Sequence, residues 1–112
     1  MRKMMNRVVR DEVPSIMKRN GTEVYCRKLD EMEMVFYLEN ELQHTIHNYM
    51  QSKDYEDLVD ILEIVYALGE RQGISKEELE RTRAIKTIAK GSYKMNYFVE
   101  YIEEEGHKES ID

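Results

Sequence analysis

The chain contains few of the residues that interrupt helices or cross-link small domains. Its 112 residues include one proline, five glycines, one cysteine and no tryptophan. A single cysteine, Cys26, excludes a disulfide within the chain and is typical of a reducing compartment, so we expect a cytoplasmic protein. The scarcity of proline and glycine favours a mainly helical fold over a loop-rich one.

Long apolar runs are missing as well. No run approaches the roughly 20 apolar residues that a helix needs to cross a bilayer. The N-terminus is basic but lacks the apolar stretch of a signal peptide. The net charge of −6 argues against a nucleic acid or an anionic membrane as the main partner. We therefore expect neither nucleic acid nor membrane binding.

What the chain does contain is charge, at 36% of residues, beside 41% hydrophobic residues. This composition supplies one small domain with a thin core, which makes a homo-oligomer, at least a dimer, reasonable. The cations are unevenly placed, in two basic segments that flank an acidic middle, and this arrangement suits a small ligand that carries phosphate. The two segments contain Arg2, Lys3, Arg7, Arg10, Lys18 and Arg19, and Arg81, Arg83, Lys86, Lys90 and Lys94.

Capping residues and apolar spacing divide the chain into elements. We predict a short helix over 11–17, a short β element near 24–27, two long helices over about 30–51 and 54–72, and a third helix over 75–90. The short connection between the long helices makes them antiparallel. The third helix is expected to pack across both, and residues 93–102 fit a strand or a helix equally well. The helical domain spans 1–104, and 105–112 is predicted to be a disordered tail.

The second long helix carries stacked carboxylates. Asp57 and Asp60 are three residues apart and therefore share a face. A metal site of this kind usually needs a second carboxylate pair on the neighbouring helix, where the antiparallel arrangement places Thr45 and Asn48 instead. The pattern fits either a weak, unoccupied magnesium site or a solvated acidic helix face.

Several motifs resemble the MazG-like, all-α nucleotide pyrophosphohydrolases, in particular the branch similar to phosphoribosyl-ATP pyrophosphohydrolase. Residues 6–14 are similar to its opening Asn-Lys-Leu-Val-Arg-Asp-Lys-Ile-Pro, and 57–63 to its Glu-Leu-Ala-Asp-Val-Leu-Glu. Residues 90–93 and 98–100 resemble its closing Arg-Gly-Gly-Phe and Phe-Leu-Glu. The similarity covers roughly residues 6 to 103.

The resemblance implies a helical bundle that assembles as an oligomer, and magnesium-dependent cleavage of a nucleoside triphosphate to monophosphate and pyrophosphate. It also implies two carboxylate pairs as metal ligands. One pair survives here as Asp57 and Asp60, whereas the other falls on Thr45 and Asn48. These two neutral side chains can donate hydrogen bonds to an anionic ligand, which carboxylates cannot.

Three functions therefore remain open. The leading hypothesis is a protein that sequesters a nucleotide without hydrolysing it, such as a viral sponge for a nucleotide immune signal, with no catalytic residue and no required cofactor. The alternative is a house-cleaning, Mg²⁺-dependent nucleoside triphosphate pyrophosphohydrolase with an altered metal site, and the third is a purely structural partner protein. The predicted nucleotide-binding residues are Asn6, Arg7, Arg10, Thr45, Asn48, Lys86, Lys90, Gly91 and Tyr93.

The predicted binding residues also have plainer interpretations. Arg10 and Asp11 fit a local ion pair and a helix cap as well as they fit ligand binding. Lys86 and Lys90 lie four residues apart on a helix, where such pairs are usually solvated surface. Only their position next to Gly91 and Tyr93 makes contact with a phosphate or a base a reasonable expectation.

Overall fold

Four helices in chain order make up the regular structure of this computed structural model, which describes residues 1–104. They are α1 (Val13–Arg19), α2 (Glu31–Ser52), α3 (Tyr55–Arg71) and α4 (Lys76–Lys90). The prediction of a mainly helical chain with two long helices is confirmed. The predicted tail, 105–112, lies outside the described residues. No helix within 1–104 combines the length and the apolar character needed to span a membrane.

Local side-chain caps explain where the long helices begin. Asp30 accepts a hydrogen bond from the Glu33 backbone N–H at 2.8 Å, and the Glu33 carboxylate accepts one from the Asp30 N–H at 3.3 Å. This reciprocal pair satisfies two donors that a helix start leaves unpaired. Asp54 and Ser75 cap α3 and α4 in a simpler way, each by accepting one backbone N–H.

The start of α1 differs from the prediction. The helix begins at Val13 with Glu12 in the capping position, and no side chain caps it. Pro14 lies in the first turn, where its missing N–H removes no helical hydrogen bond. Asp11 therefore precedes the helix rather than capping it.

The long helices α2 and α3 pack against each other as an antiparallel hairpin. Lys53 makes the turn with a left-handed backbone, φ 58°. At the far end, Arg71 Nε lies 3.1 Å from Glu31 Oε2, an ion pair whose angle is outside hydrogen-bond geometry. This contact joins the end of α3 to the beginning of α2.

The fourth helix packs against α3 and, among the described residues, not against α2. The prediction of a helix lying across both long helices is therefore wrong. Gly69 allows the close approach of α4, because a Cβ there would come within 2.7 Å of Leu79 Cδ1. The chain is thus a hairpin with a helix attached to one end.

The prediction of a β element near 24–27 is wrong for the single chain, in which no strand occurs in residues 1–104. Alternating residues favour a strand only when a second segment completes the hydrogen-bonded ladder. Within the described part of the chain no other segment pairs with 22–28, and its sole backbone hydrogen bond runs from the Thr22 N–H to the Met17 carbonyl. Residues 92–104 likewise lack regular structure.

The hairpin leaves most of its apolar surface exposed. Within 1–104 the buried residues are Leu38, Thr45, Ile64 and Gly69. The accessible surface is 10753 Å², whereas a compact monomer of this mass exposes about 6,500 Å². The Cα radius of gyration is 19.3 Å, against about 13 Å for a compact domain of this length. A single chain therefore does not bury its own hydrophobic residues.

The capping box of α2 supports a direct stability test. Asp30→Ala removes the acceptor for the Glu33 N–H and should lower the free energy of unfolding by about 1 kcal/mol. Glu39→Ala, an exposed change in the middle of the same helix, is the matched control and should alter it by less than about 0.5 kcal/mol. Urea unfolding followed by circular dichroism measures both, and equal effects would contradict the role of the cap.

Candidate functional site

The segment before α1 is tied to both long helices by arginine. The Arg7 guanidinium donates to both carboxylate oxygens of Glu41 on α2, at 3.2 and 2.7 Å. Arg10 donates to Asp60 Oδ1 on α3 at 3.1 Å. The hydrogen bond with Glu41 raises the pKa of Arg7 further, against a smaller opposing effect of burial. The Arg7 guanidinium therefore remains charged at every physiological pH.

A cavity of about 160 Å³ lies between this segment and α2. Its lining residues are Asn6, Arg7, Tyr37, Asn40, Glu41 and His44. The cavity offers a cation, an amide pair and an aromatic ring, which together suit a polar ligand with a planar group. Small-molecule sites usually measure about 300–1,000 Å³. The cavity of a single chain is therefore too small to enclose a nucleotide.

The two predicted metal ligands are each held by a donor from the chain itself. Asp57 Oδ2 accepts from the Ser52 hydroxyl at 3.1 Å, and Asp60 accepts from Arg10. Within residues 1–104 no three His, Cys, Asp or Glu side chains are grouped closely enough to hold a metal ion. A cation at Asp60 would have to compete with the Arg10 guanidinium.

Thr45 and Asn48, the positions at which a metal site would need a second carboxylate pair, lie in different surroundings. Thr45 is buried on the α2 face that also holds Leu38, and its hydroxyl donates to the Glu41 carbonyl at 2.8 Å. That donor is already used inside the helix. Asn48 is exposed, and its amide nitrogen lies 3.4 Å from His44 Nε2. Of the two, Asn48 is the one accessible to a ligand.

The remaining predicted residues lie at the other end of the chain. Lys86 and Lys90 are exposed on α4, and Tyr93 is fully exposed beyond it. Gly91 ends α4 as predicted, with φ 84° and its N–H donating to the Thr87 carbonyl at 2.7 Å. None of these four residues lines the cavity at Asn6. Of the nine predicted binding residues, the cavity therefore brings together only Asn6 and Arg7, because Arg10, Thr45 and Asn48 are not among its lining residues either.

Four residues of the cavity were missed by sequence reasoning. Tyr37, Asn40, Glu41 and His44 follow one another at spacings of three, one and three residues, so they share one face of α2. That spacing was visible in the sequence. It carried no functional meaning until the structure placed the N-terminal segment against this face.

The chain matches no protein-family model, no curated protein and no solved structure.

The exposed position of the Arg10–Asp60 pair leads to a stability prediction. The two side chains keep 59% and 51% of their surface accessible, and ion pairs of this kind contribute about 0–1 kcal/mol. Arg10→Ala should therefore change the free energy of unfolding by less than about 1 kcal/mol, and the exposed Arg19→Ala should behave alike. Urea unfolding checks both. A loss several times larger for Arg10→Ala would mean that this residue holds the fold rather than serving a ligand.

Proposed function

We propose that this protein binds a phosphate-bearing nucleotide directly, without a metal ion, and sequesters it. The observation that carries the proposal is the 3.1 Å contact between Arg10 and Asp60. The resemblance to the pyrophosphohydrolases assigns Asp60 to a magnesium ion. In this chain a guanidinium lies at that carboxylate instead. This guanidinium keeps unused N–H donors beside Asp60, and these can bind an anionic ligand without a metal ion.

The arginines have the chemistry that a phosphate needs. A guanidinium presents five N–H donors in a planar fork, and phosphate oxygens accept two of them at once. Arg10 uses one donor on Asp60 and keeps more than half of its side chain exposed. Arg7, 45% exposed at the cavity, supplies a second cation. Asn6 and Asn40 add uncharged donors beside Arg7 in the cavity, and Asn48 is exposed further along α2.

Sequestration, rather than turnover, follows from the state of the acidic residues. Asp57 and Asp60 each accept one hydrogen bond, from Ser52 and Arg10, so a magnesium ion would share these carboxylates with those donors and, at Asp60, would be repelled by the charge of Arg10. Their neighbours on α2 are Thr45 and Asn48, which bring no negative charge. A small protein that holds a nucleotide intact acts by lowering its free concentration, as a viral sponge for a nucleotide immune signal does.

The site is completed by a second copy of the chain in this proposal. The cavity at Asn6, of about 160 Å³, is too small for a nucleotide. Lys86, Lys90, Gly91 and Tyr93 are exposed and stand apart from it. Exposed apolar residues of α3, such as Leu58, Leu62 and Val65, offer a surface for association. We therefore expect at least a homodimer, with the long helices of the copies packed together.

The oligomer gives a prediction that is independent of any ligand. The chain has a mass of 13.5 kDa, and light scattering at micromolar concentration should give twice that value or more. The physical reason is the surface excess of about 4,000 Å² per chain, or about 8,000 Å² for two chains, which is more than an obligate interface needs to bury. A stable monomer at 13.5 kDa would contradict the shared site.

The binding proposal is tested with the purified protein and a panel of ATP, ADP-ribose and cyclic di-AMP. At least one nucleotide should bind and should be recovered chemically intact after the protein is denatured. Arg10→Ala should weaken that binding by about ten-fold or more, since a charge-assisted hydrogen bond contributes roughly 1.5–3 kcal/mol. Arg19→Ala should leave the affinity unchanged. Calorimetry measures the affinities and mass spectrometry the recovered nucleotide.

The same samples discriminate the enzyme alternative. Steady release of pyrophosphate in the presence of Mg²⁺, lost on Asp60→Asn, would establish an altered pyrophosphohydrolase and overturn sequestration. Absence of binding by every nucleotide in the panel, with no rise in melting temperature, would favour a structural role.

A further inference from the structure

Residues 97–104 are rich in strand-forming side chains but have no strand partner. The run Tyr-Phe-Val-Glu-Tyr-Ile-Glu-Glu begins with six residues of which five favour strands. Its apolar members are between 63% and 86% exposed. No backbone hydrogen bond joins this run to any other described residue. Such a segment associates readily with another edge unless something covers it.

A second segment, 22–28, has the same unfulfilled pattern. Thr22, Val24 and Tyr25 favour a strand, and Tyr25 is 89% exposed. From residue 23 to residue 28, the backbone makes no hydrogen bond with the backbone of any other residue in 1–104. Each of the two segments therefore carries backbone N–H donors and C=O acceptors that could pair with those of the other.

The charges of the two segments are complementary. Residues 97–104 contain three glutamates and no cation, whereas 22–28 contains Arg27 and Lys28 beside a single glutamate. Arg27 contacts Glu33 of its own chain at 3.1 Å but keeps 68% of its side chain exposed. Opposite charges across a strand pair stabilise it, and like charges facing each other destabilise it. Self-pairing of 97–104 would instead bring six glutamates together.

We propose that residues 97–104 of one copy form a β-ladder with residues 22–28 of a second copy. A second copy is the occupant because the two segments of one chain lie unpaired, while that chain exposes about 4,000 Å² more than a compact monomer of its mass. In a symmetric dimer the exchange occurs twice and covers both exposed segments.

The pairing also bears on the nucleotide site, and this part of the inference rests on the proposed function. Residue 28 is followed within nine positions by Tyr37, which lines the cavity. Residue 97 is preceded by Tyr93 and Lys90, four and seven positions earlier. A ladder between 97–104 and the second copy's 22–28 therefore carries the basic and aromatic residues at the end of α4 toward the second copy's cavity.

Cysteine trapping tests the ladder without any nucleotide. Cys26 is exposed and is the single native cysteine, so one further cysteine placed at each position from 97 to 102 in turn reports proximity. A disulfide forms when the two Cα atoms lie about 4.4–6.8 Å apart. We expect a covalent dimer of twice 13.5 kDa on a non-reducing gel, strongest at alternate positions because side chains alternate across a strand.

The controls make every outcome decisive. Wild type alone and Glu39→Cys on the middle of α2 should give little dimer, and Cys26→Ser in each variant should abolish it. A disulfide that forms within one chain would overturn the exchange, and a dimer that survives Cys26→Ser would show self-pairing of 97–104. No cross-link in variants whose circular dichroism matches wild type would overturn the ladder altogether. Failure here leaves the metal-free binding test unaffected, because the two readouts are separate.

Discussion

Two arginine–carboxylate ion pairs hold the N-terminal segment against the long helices, and the arrangement of the site rests on them. Arg7 joins this segment to Glu41 on α2, and Arg10 joins it to Asp60 on α3. Together these two ion pairs place Asn6 and Arg7 beside the α2 face and so create the cavity. The second pair also places a guanidinium at Asp60, the predicted metal ligand. These contacts therefore hold one wall of the cavity in place and set an arginine beside each of two carboxylates.

Sequence reasoning correctly predicted the helices whose starts are set by residues close to them in the chain. Asp30 with Glu33, Asp54 and Ser75 cap helices through contacts within three positions, so their spacing alone predicts them. The strand expected near 24–27 depends on a partner elsewhere, and one chain supplies none within residues 1–104. Strand propensity cannot reveal whether that partner belongs to the same molecule.

The residues of the candidate site also divide into those that local sequence predicts and those that depend on distant contacts. Asn6 and Arg7 were predicted from the N-terminal motif and do line the cavity. The involvement of Tyr37 and His44 depended on a long-range contact across more than thirty residues, which no local pattern encodes. Thr45 was expected to face a ligand, but its face of α2 is the one packed in the hairpin, and its hydroxyl bonds to the Glu41 carbonyl.

Direct, metal-independent recognition is the central claim, and the dependence of nucleotide affinity on Mg²⁺ tests it most directly. Titration of the tightest-binding nucleotide should give the same dissociation constant in excess EDTA as in millimolar Mg²⁺, because Arg7 and Arg10 provide the positive charge. Binding that disappears in EDTA and returns with Mg²⁺ would contradict the account. It would show that a metal ion, rather than Arg10, neutralises the ligand beside Asp60.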